Sequence, residues 1–334
     1  MEPITHALAS WVLSRAGLNR VTKPATAILL VSGTAADADW LTYLLGPGAF
    51  FAGHRTATHS IPGIFAVAAM VAAGFWLLGR RRERWRVGFR TAFLLAVAGA
   101  TLHVVLDLAD SCGARLLWPF GGWTAGAFFT TVDPWILLLL LAGLLLPMLF
   151  ALVSAEIGAR RKTPSGRQGA ILVFGLLALY AGGRGLLRAQ AVATLMARTY
   201  GSELPRRAGA WPEAVSPLTW HGIVETESAL HEVDVPLAPG TSFNPEAGIA
   251  WFKPEPSPIL DAAQATSTAR AFLTAAQFPR ATVMRTQEGY TVELRDLRFA
   301  TLGERSRSVM AVVELDAQGR VVDEKFRYDR KAAR

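Results

Sequence analysis

"VGFRTAFLLAVAGATLHVVLDL", Val87–Leu108, decides how the rest of the chain is read. It carries one charge near its start, Arg90, and no other until Asp107. A helix of about 20 apolar residues crosses a bilayer, so this run reads as a membrane span. Two residues near its far end do not suit hydrocarbon, His103 and Asp107. They are four apart, so both side chains share one helical face about one turn apart. An ionisable side chain inside a span is costly and marks a functional site by default.

Working outward, three other runs reach spanning length: Ile61–Gly79, Trp135–Ala155 and Gly169–Arg188, the last interrupted by Arg184 and glycines. Two shorter runs, Ile4–Ala16 and Ala25–Ala36, predict half-spanning or tilted helices packed against the others. The composition agrees. The 334 residues are 51% hydrophobic and 18% charged, and the mean hydropathy is +0.30, values of a membrane protein rather than an ordinary soluble one. The single cysteine, Cys112, excludes an internal disulfide framework and a Cys-based zinc site. The net charge of +8 does not point to nucleic acid, because the basic residues gather in short loops between apolar runs. The first residues lack a basic segment and carry His6 early, so no cleavable signal peptide is expected.

Orientation follows from lysine and arginine. Arg15, Arg20 and Lys23, the six arginines within 80–90, and Arg160, Arg161, Lys162 and Arg167 occupy one set of loops; the alternate loops, 37–60 and 109–134, hold only Arg55 and Arg115. The positive-inside rule places the basic loops in the cytoplasm. Four crossings then put the chain's C-terminal part outside it.

After about Leu195 the apolar runs give way to prolines, charges and alternation. Thr219–Val235 predicts a β-hairpin and Ser257–Phe278 a helix. Strands are expected at Ala281–Arg285, Tyr290–Ala300, Ser308–Asp316 and Val321–Tyr328, with "DAQG" (Asp316–Gly319) turning between the last two. The expected architecture is mainly α: a multi-pass helical membrane domain over 1–192, of four to six helices, some short. A small soluble α+β domain with an antiparallel sheet follows over 193–334, outside the cytoplasm.

On this map the unusual polar residues share one membrane face, opposite the basic loops: His6, Asp37, Asp39, His54, His59, His103 and Asp107. The orientation was derived without them. Taken singly, a histidine at a membrane interface is more often a hydrogen-bonded structural residue; as a one-sided set of imidazoles and carboxylates these suit zinc, manganese or iron. Four histidines and three aspartates exceed one tetrahedral zinc, so one or two ions are open. His54 and His59, five apart, need a turn between them or a helix starting after His59; Ser60 as N-cap and Pro62 in the first turn favour the latter. Arg55 has the fork of donors that clamps a phosphate or carboxylate, or it snorkels to the interface. Asp110, Asp133 and Cys112 are background on the same face.

The motifs "THA" (Thr5–Ala7), "ADAD" (Ala36–Asp39), "HRTATHS" (His54–Ser60), "HVVLD" (His103–Asp107) and "WPF" (Trp118–Phe120) together resemble the bacterial membrane-bound metal-dependent hydrolase family over about residues 1–155. The resemblance implies a multi-pass inner-membrane protein in which His6, Asp37, Asp39, His54, Arg55, His59, His103 and Asp107 fall on motif positions. Ala36 stands where that family often has proline. "SPLTW" (Ser216–Trp220) looks like the start of the extra C-terminal region of longer members.

The expectation is a metallohydrolase working at the extracytoplasmic membrane face, with Asp39 or Asp107 as proton acceptor and Arg55 holding an anionic substrate. Its substrate is a lipid or lipid-linked molecule, with a phosphoester preferred because no HExxH motif is present. A non-catalytic metal-binding scaffold and a transporter are the alternatives.

Overall fold

The computed structural model describes residues 1–156, 166–301 and 309–328. Arg160, Arg161, Lys162 and Ser308 lie outside them. The chain falls into two compact units, residues 1–40 with 54–185 and residues 41–53 with 186–334.

The first unit is helical: α1 (Pro3–Arg15), α2 (Ala25–Ala35), α4 (Ile61–Arg81), α5 (Phe89–Ala109), α6 (Pro134–Glu156) and most of α7 (Arg167–Met196), with α3 (Pro47–Gly53) belonging to the second unit. α4, α5 and α7 are long and apolar enough to cross a membrane. α6 is apolar over Pro134–Phe150 and has Pro147 inside it. α1 and α2 are short, as expected, and pack against the longer helices. Two of the starts have a local cause in a capping side chain. Glu2 caps α1, its carboxylate accepting from Thr5 N at 2.7 Å. Ser60 caps α4 by accepting from Gly63 N at 3.1 Å, with Pro62 in the first turn, as the spacing of His54 and His59 required.

Small residues let these helices approach. Ala68 and Ala72 of α4 and Ala92, Ala96 and Ala100 of α5 are buried in one apolar cluster with Ile28 and Leu29 of α2. In lipid, where apolar burial drives little, close backbone packing is the main attraction. A Cβ added at Gly99 would lie 2.2 Å from Ser32 Oγ and 2.9 Å from the Leu29 carbonyl. Only glycine permits this crossing of α2 and α5, which brings the end of α2 beside His103.

The second unit has the expected α+β character, its antiparallel strands forming two four-stranded meanders. The first is β1 (Arg207–Pro212), β2 (Thr219–Glu225), β3 (Ala229–Pro236) and β4 (Ile249–Phe252); β2–β3 is the expected hairpin. Its core gathers Trp220, Val224, Val233 and Val235 with Ala191 and Leu195 from the end of α7. The second is β5 (Pro279–Arg285), β6 (Gly289–Asp296), β7 (Val309–Asp316) and β8 (Val321–Tyr328).

Two expectations there need correction. The helix read over Ser257–Phe278 is two helices, α8 (Pro258–Gln264) and α9 (Ser267–Ala275). Thr266 takes extended geometry and its hydroxyl accepts from Ala269 N at 3.3 Å, capping a new helix. The strand read over Tyr290–Ala300 stops at Asp296. Its carboxylate accepts from Gln277 N, Phe278 N and Arg298 N, turning the chain into α10 (Leu297–Thr301).

α8 and α9 cover the β5–β8 sheet, burying Leu260, Phe272, Val292, Leu294, Val313 and Leu315. α3 joins that layer: Phe51 stacks on Phe326 at 4.7 Å and lies 5.9 Å from Phe272. Tyr43 packs against Tyr328, whose hydroxyl donates to the Tyr43 carbonyl at 3.1 Å. A segment placed early in the chain thus completes the core of a sheet formed by its end.

Candidate metal centre

Five side chains from four parts of the first unit lie close together: His6 of α1, Asp37 after α2, His59 before α4, and His103 and Asp107 of α5. His6 Nε2 is 3.2 Å from Asp107 Oδ1. His59 Nε2 and His103 Nε2 are 3.0 and 3.3 Å from Asp107 Oδ2 and 3.1 Å from each other. Asp37 Oδ1 is 3.6 Å from His103 Nε2 and 4.0 Å from His59 Nε2. The His6 and His103 rings stack with centroids 3.8 Å apart. One donor atom each from His6, Asp37, His103 and Asp107 lies within 4.8 Å of all the others. Bonds of about 2.1 Å arranged tetrahedrally separate ligand atoms by about 3.4 Å, so the spacing fits one metal ion.

The chemistry of the donors tests that fit. A carbonyl only accepts, so His103 Nδ1 must donate to Gly33 O at 2.8 Å, which leaves Nε2 facing the cluster. His59 Nδ1 faces Asp39 Oδ2 at 3.1 Å and likewise leaves Nε2 to the cluster. Two lone pairs and two carboxylates meeting in a buried place repel unless a cation lies among them. Asp37 Oδ2 and His6 Nδ1 are moreover buried without a hydrogen-bond partner. The residues present therefore fit a divalent ion. When none is bound a proton serves. Burial alone would lower the His59 pKa, but its bonds to Asp107 and Asp39 outweigh burial and hold it above its ordinary value.

Asp39 and His54 are not brought into that cluster. Asp39 lies behind His59, where it accepts from His54 Nδ1 (2.9 Å), Arg55 N (2.9 Å) and Thr58 Oγ1 (2.7 Å). Burial would raise its pKa; the bonds from His54 and His59 prevail and hold it well below the usual carboxylate range. A carboxylate behind a ligating imidazole fixes the ring's tautomer and aim, and Asp39 is placed to do this for His59. His54 sits on the far side of Asp39, edge-on to Trp40.

Arg55 is buried, and its guanidinium is engaged with the protein's own carboxylates. Nη1 donates to both oxygens of Asp110 at 2.9 Å and to Gly113 O at 3.2 Å; Nη2 is 3.3 Å from Asp107 Oδ1. Its φ of +55° is unusual for a residue with a side chain, and the bond from its amide to Asp39 helps hold it there. Asp110, read as background, is fully buried and accepts from Cys112 N and Gly113 N as well. Helical spacing could not have found it, because α5 ends at Ala109 and Asp110 takes extended geometry; the signal was only its nearness in sequence to Asp107. The chain's first amino group also contacts Asp107 and Asp110.

These features define a helical membrane protein with a His/Asp cluster able to hold a metal ion. The chain belongs to the YdjM inner membrane protein family, whose model matches residues 1–191. Residues 258–332 match the YfhP C-terminal alpha/beta plait domain. "Uncharacterized protein YfhP" of Bacillus subtilis (strain 168) is 27% identical over 116 residues, a stretch covering 34% of this chain and 34% of that protein. The chain thus spans about a third of the length of that relative. No solved structure matches.

Proposed function

We propose that the protein is an integral-membrane metal-dependent hydrolase. The observation that carries this is the cluster of His6, Asp37, His103 and Asp107, whose ligand atoms lie within 4.8 Å of one another, with His59 Nε2 next to Asp107 and His103 and two of the imidazoles aimed from behind by Asp39 and the Gly33 carbonyl. His6, Asp37, His103 and Asp107 would hold a single ion, with His59 Nε2 beside Asp107 and His103 as a further donor; the donor type suits zinc, with manganese or iron also compatible. Such an ion supplies Lewis acidity and lowers the pKa of water.

The residues around it divide the remaining work. Asp37 is the cluster member whose side chain is partly exposed, at 12%, whereas His6, His59, His103 and Asp107 are at 0%. Water and substrate would enter on its side, which makes Asp37 a better-placed proton acceptor than Asp39, engaged behind His59, or the fully buried Asp107. Asp39 orients His59. Arg55 orients Asp107 and offsets its charge, a role that differs from the substrate clamp expected from its fork of donors. The basic loops set the site at the extracytoplasmic face. At headgroup level the accessible substrates are lipids or lipid-linked molecules, and a phosphoester is the preferred bond.

Metal analysis of the purified protein, followed by turnover of a panel of phospholipids and lipid-linked phosphoesters by wild type and His59→Ala, tests this. About one metal per chain and His59-dependent hydrolysis support it; a chain without stoichiometric metal sinks it. One observation favours a second reading, a non-catalytic metal staple holding α1, α2 and α5 together. Four protein donors exceed the three that usually leave a catalytic zinc with an open position. Bound metal with no turnover on any substrate would select that reading.

A further inference from the structure

The loop from Asp110 to Asp133 carries an apolar tip that neither the fold nor the metal centre uses. Phe120 is 97% exposed and Leu117 59%; Trp118 is exposed beside them. From Leu116 to Thr124 no residue is charged. Soluble loops keep such side chains out of water or surround them with charge.

The backbone of the tip is closed on itself. Trp118 N donates to Arg115 O, and Phe120 N and Gly121 N both donate to Leu117 O. Pro119 has no amide to satisfy. Arg115 fastens the turn through its guanidinium to Gly121 O, at 3.2–3.3 Å. Every amide from 118 to 121 therefore has an internal partner. A turn closed in this way has fewer bare amides to strip of water on entering an apolar region, where each unsatisfied group costs several kcal/mol.

The tip is also continuous with the lipid-facing surface. Leu116 O accepts from Ile61 N at 2.9 Å, which fixes the loop to the first residue of the spanning helix α4. There Ile61 and Phe65 are themselves exposed. One residue back, Arg115 N donates to Arg55 O at 3.0 Å, so the same backbone touches the metal centre's arginine.

We propose that Leu117–Phe120 is a membrane-interface anchor whose side chains dip into the acyl edge of the leaflet beside the metal centre. Its partner is lipid hydrocarbon, reached where aromatic side chains ordinarily sit in membrane proteins. The anchor rests on the embedding of the chain in a membrane and not on catalysis. If the hydrolase reading holds, the anchor gives lipid substrates a short path from the leaflet to the centre.

Nitroxide labelling of the full chain in phospholipid vesicles tests it. Cysteines are placed singly at Phe120 (Phe120→Cys) and Leu117 (Leu117→Cys) in a Cys112→Ser background. Phe65→Cys on α4 serves as the lipid reference and Gln318→Cys as the water reference. The readout is the ratio of collision rates with molecular oxygen, which concentrates in lipid, and a water-soluble nickel chelate. Labels at 120 and 117 are expected to give the oxygen-rich ratio of the Phe65 label. A ratio matching the Gln318 label overturns the proposal, because the tip is then in water. Shielding from both reagents also overturns it, because a protein surface then covers the tip. None of these outcomes depends on turnover, so a failed hydrolase reading and a failed anchor are told apart.

Discussion

His59 and His103 point their Nε2 atoms at each other across 3.1 Å, while the Nδ1 of each is held from behind, by Asp39 and by the Gly33 carbonyl. Neither ring can turn its proton to the other without breaking the bond behind it. This opposition leaves two ring nitrogens facing the cluster, an arrangement that could hold a metal ion.

Removing the support behind His59 should weaken metal binding without removing a ligand. Asp39→Asn is expected to lower metal affinity about 10- to 100-fold, the usual effect of losing a carboxylate behind an imidazole. His103→Ala and Asp107→Ala should lose the metal altogether. Competition with a chelator of known affinity measures all three, and an unchanged affinity in Asp39→Asn would remove Asp39 from its supporting role.

The centre should respond to pH in opposite senses with and without metal. His59 has a folded pKa raised above its ordinary 6.5. In metal-free protein its contribution to stability is therefore complete below 6.5 and is lost as pH rises through the raised folded value. With metal bound, protons compete for the same Nε2, so the ion is released as pH falls through that region. Thermal unfolding from pH 5 to 9, with and without a chelator, reads both slopes; a His59→Gln variant should flatten the metal-free one.

Arg55 distinguishes two roles. Arg55→Met leaves Asp110 buried beside Asp107 without its guanidinium, and breaking one side of a buried pair costs about 3–5 kcal/mol. Loss of both stability and metal content is expected, measured by thermal unfolding and metal analysis. A variant that folds and binds metal normally but loses affinity for anionic substrates would restore the clamp.

Gly99→Ala tests the helix crossing behind His103. The new methyl would meet Ser32 Oγ and the Leu29 carbonyl, and overpacking of this kind costs about 1–3 kcal/mol. Because α2 then shifts away from α5, Gly33 O should leave His103 Nδ1. The variant is expected to melt lower and to bind metal more weakly. A rise in stability would show that the crossing is looser than it stands here.

In the second unit, Phe51→Ala removes the ring that stacks on Phe326. Phe51 is half-buried, so the loss should fall below that of a full core phenylalanine, at about 2 kcal/mol. Hydrogen exchange over β7 and β8 should rise. Unchanged protection there would mean that α3 contributes nothing to that core.

The amino-acid sequence by itself determined the class. Runs of apolar length define spans whatever they pack against, because the requirement is set by bilayer thickness. The Ser60–Pro62 helix start was legible for the same kind of reason: capping is a property of neighbouring residues. His103 and Asp107 were legible as a pair because helical spacing alone puts them on one face. The strand end at Asp296 was not, since it depends on a carboxylate accepting from Gln277 N and Phe278 N, amides brought there by the fold; the break between α8 and α9 has a local cap at Thr266 within a continuous apolar pattern.

What tertiary structure alone decided is the sorting of a list of polar residues into roles. His54 and His59 belong to one motif and look equivalent in sequence, yet His59 faces the cluster and His54 stands behind Asp39. Arg55 looks like a free cation until Asp110, fifty-five residues away, is seen to hold it. Residues 41–53 read as part of a loop of the membrane domain, yet Phe51 and Tyr43 pack in the core of the second unit. In each case the deciding interaction lies between residues remote in sequence. Local spacing fixes which face of an element a side chain occupies, and only packing settles what meets it there.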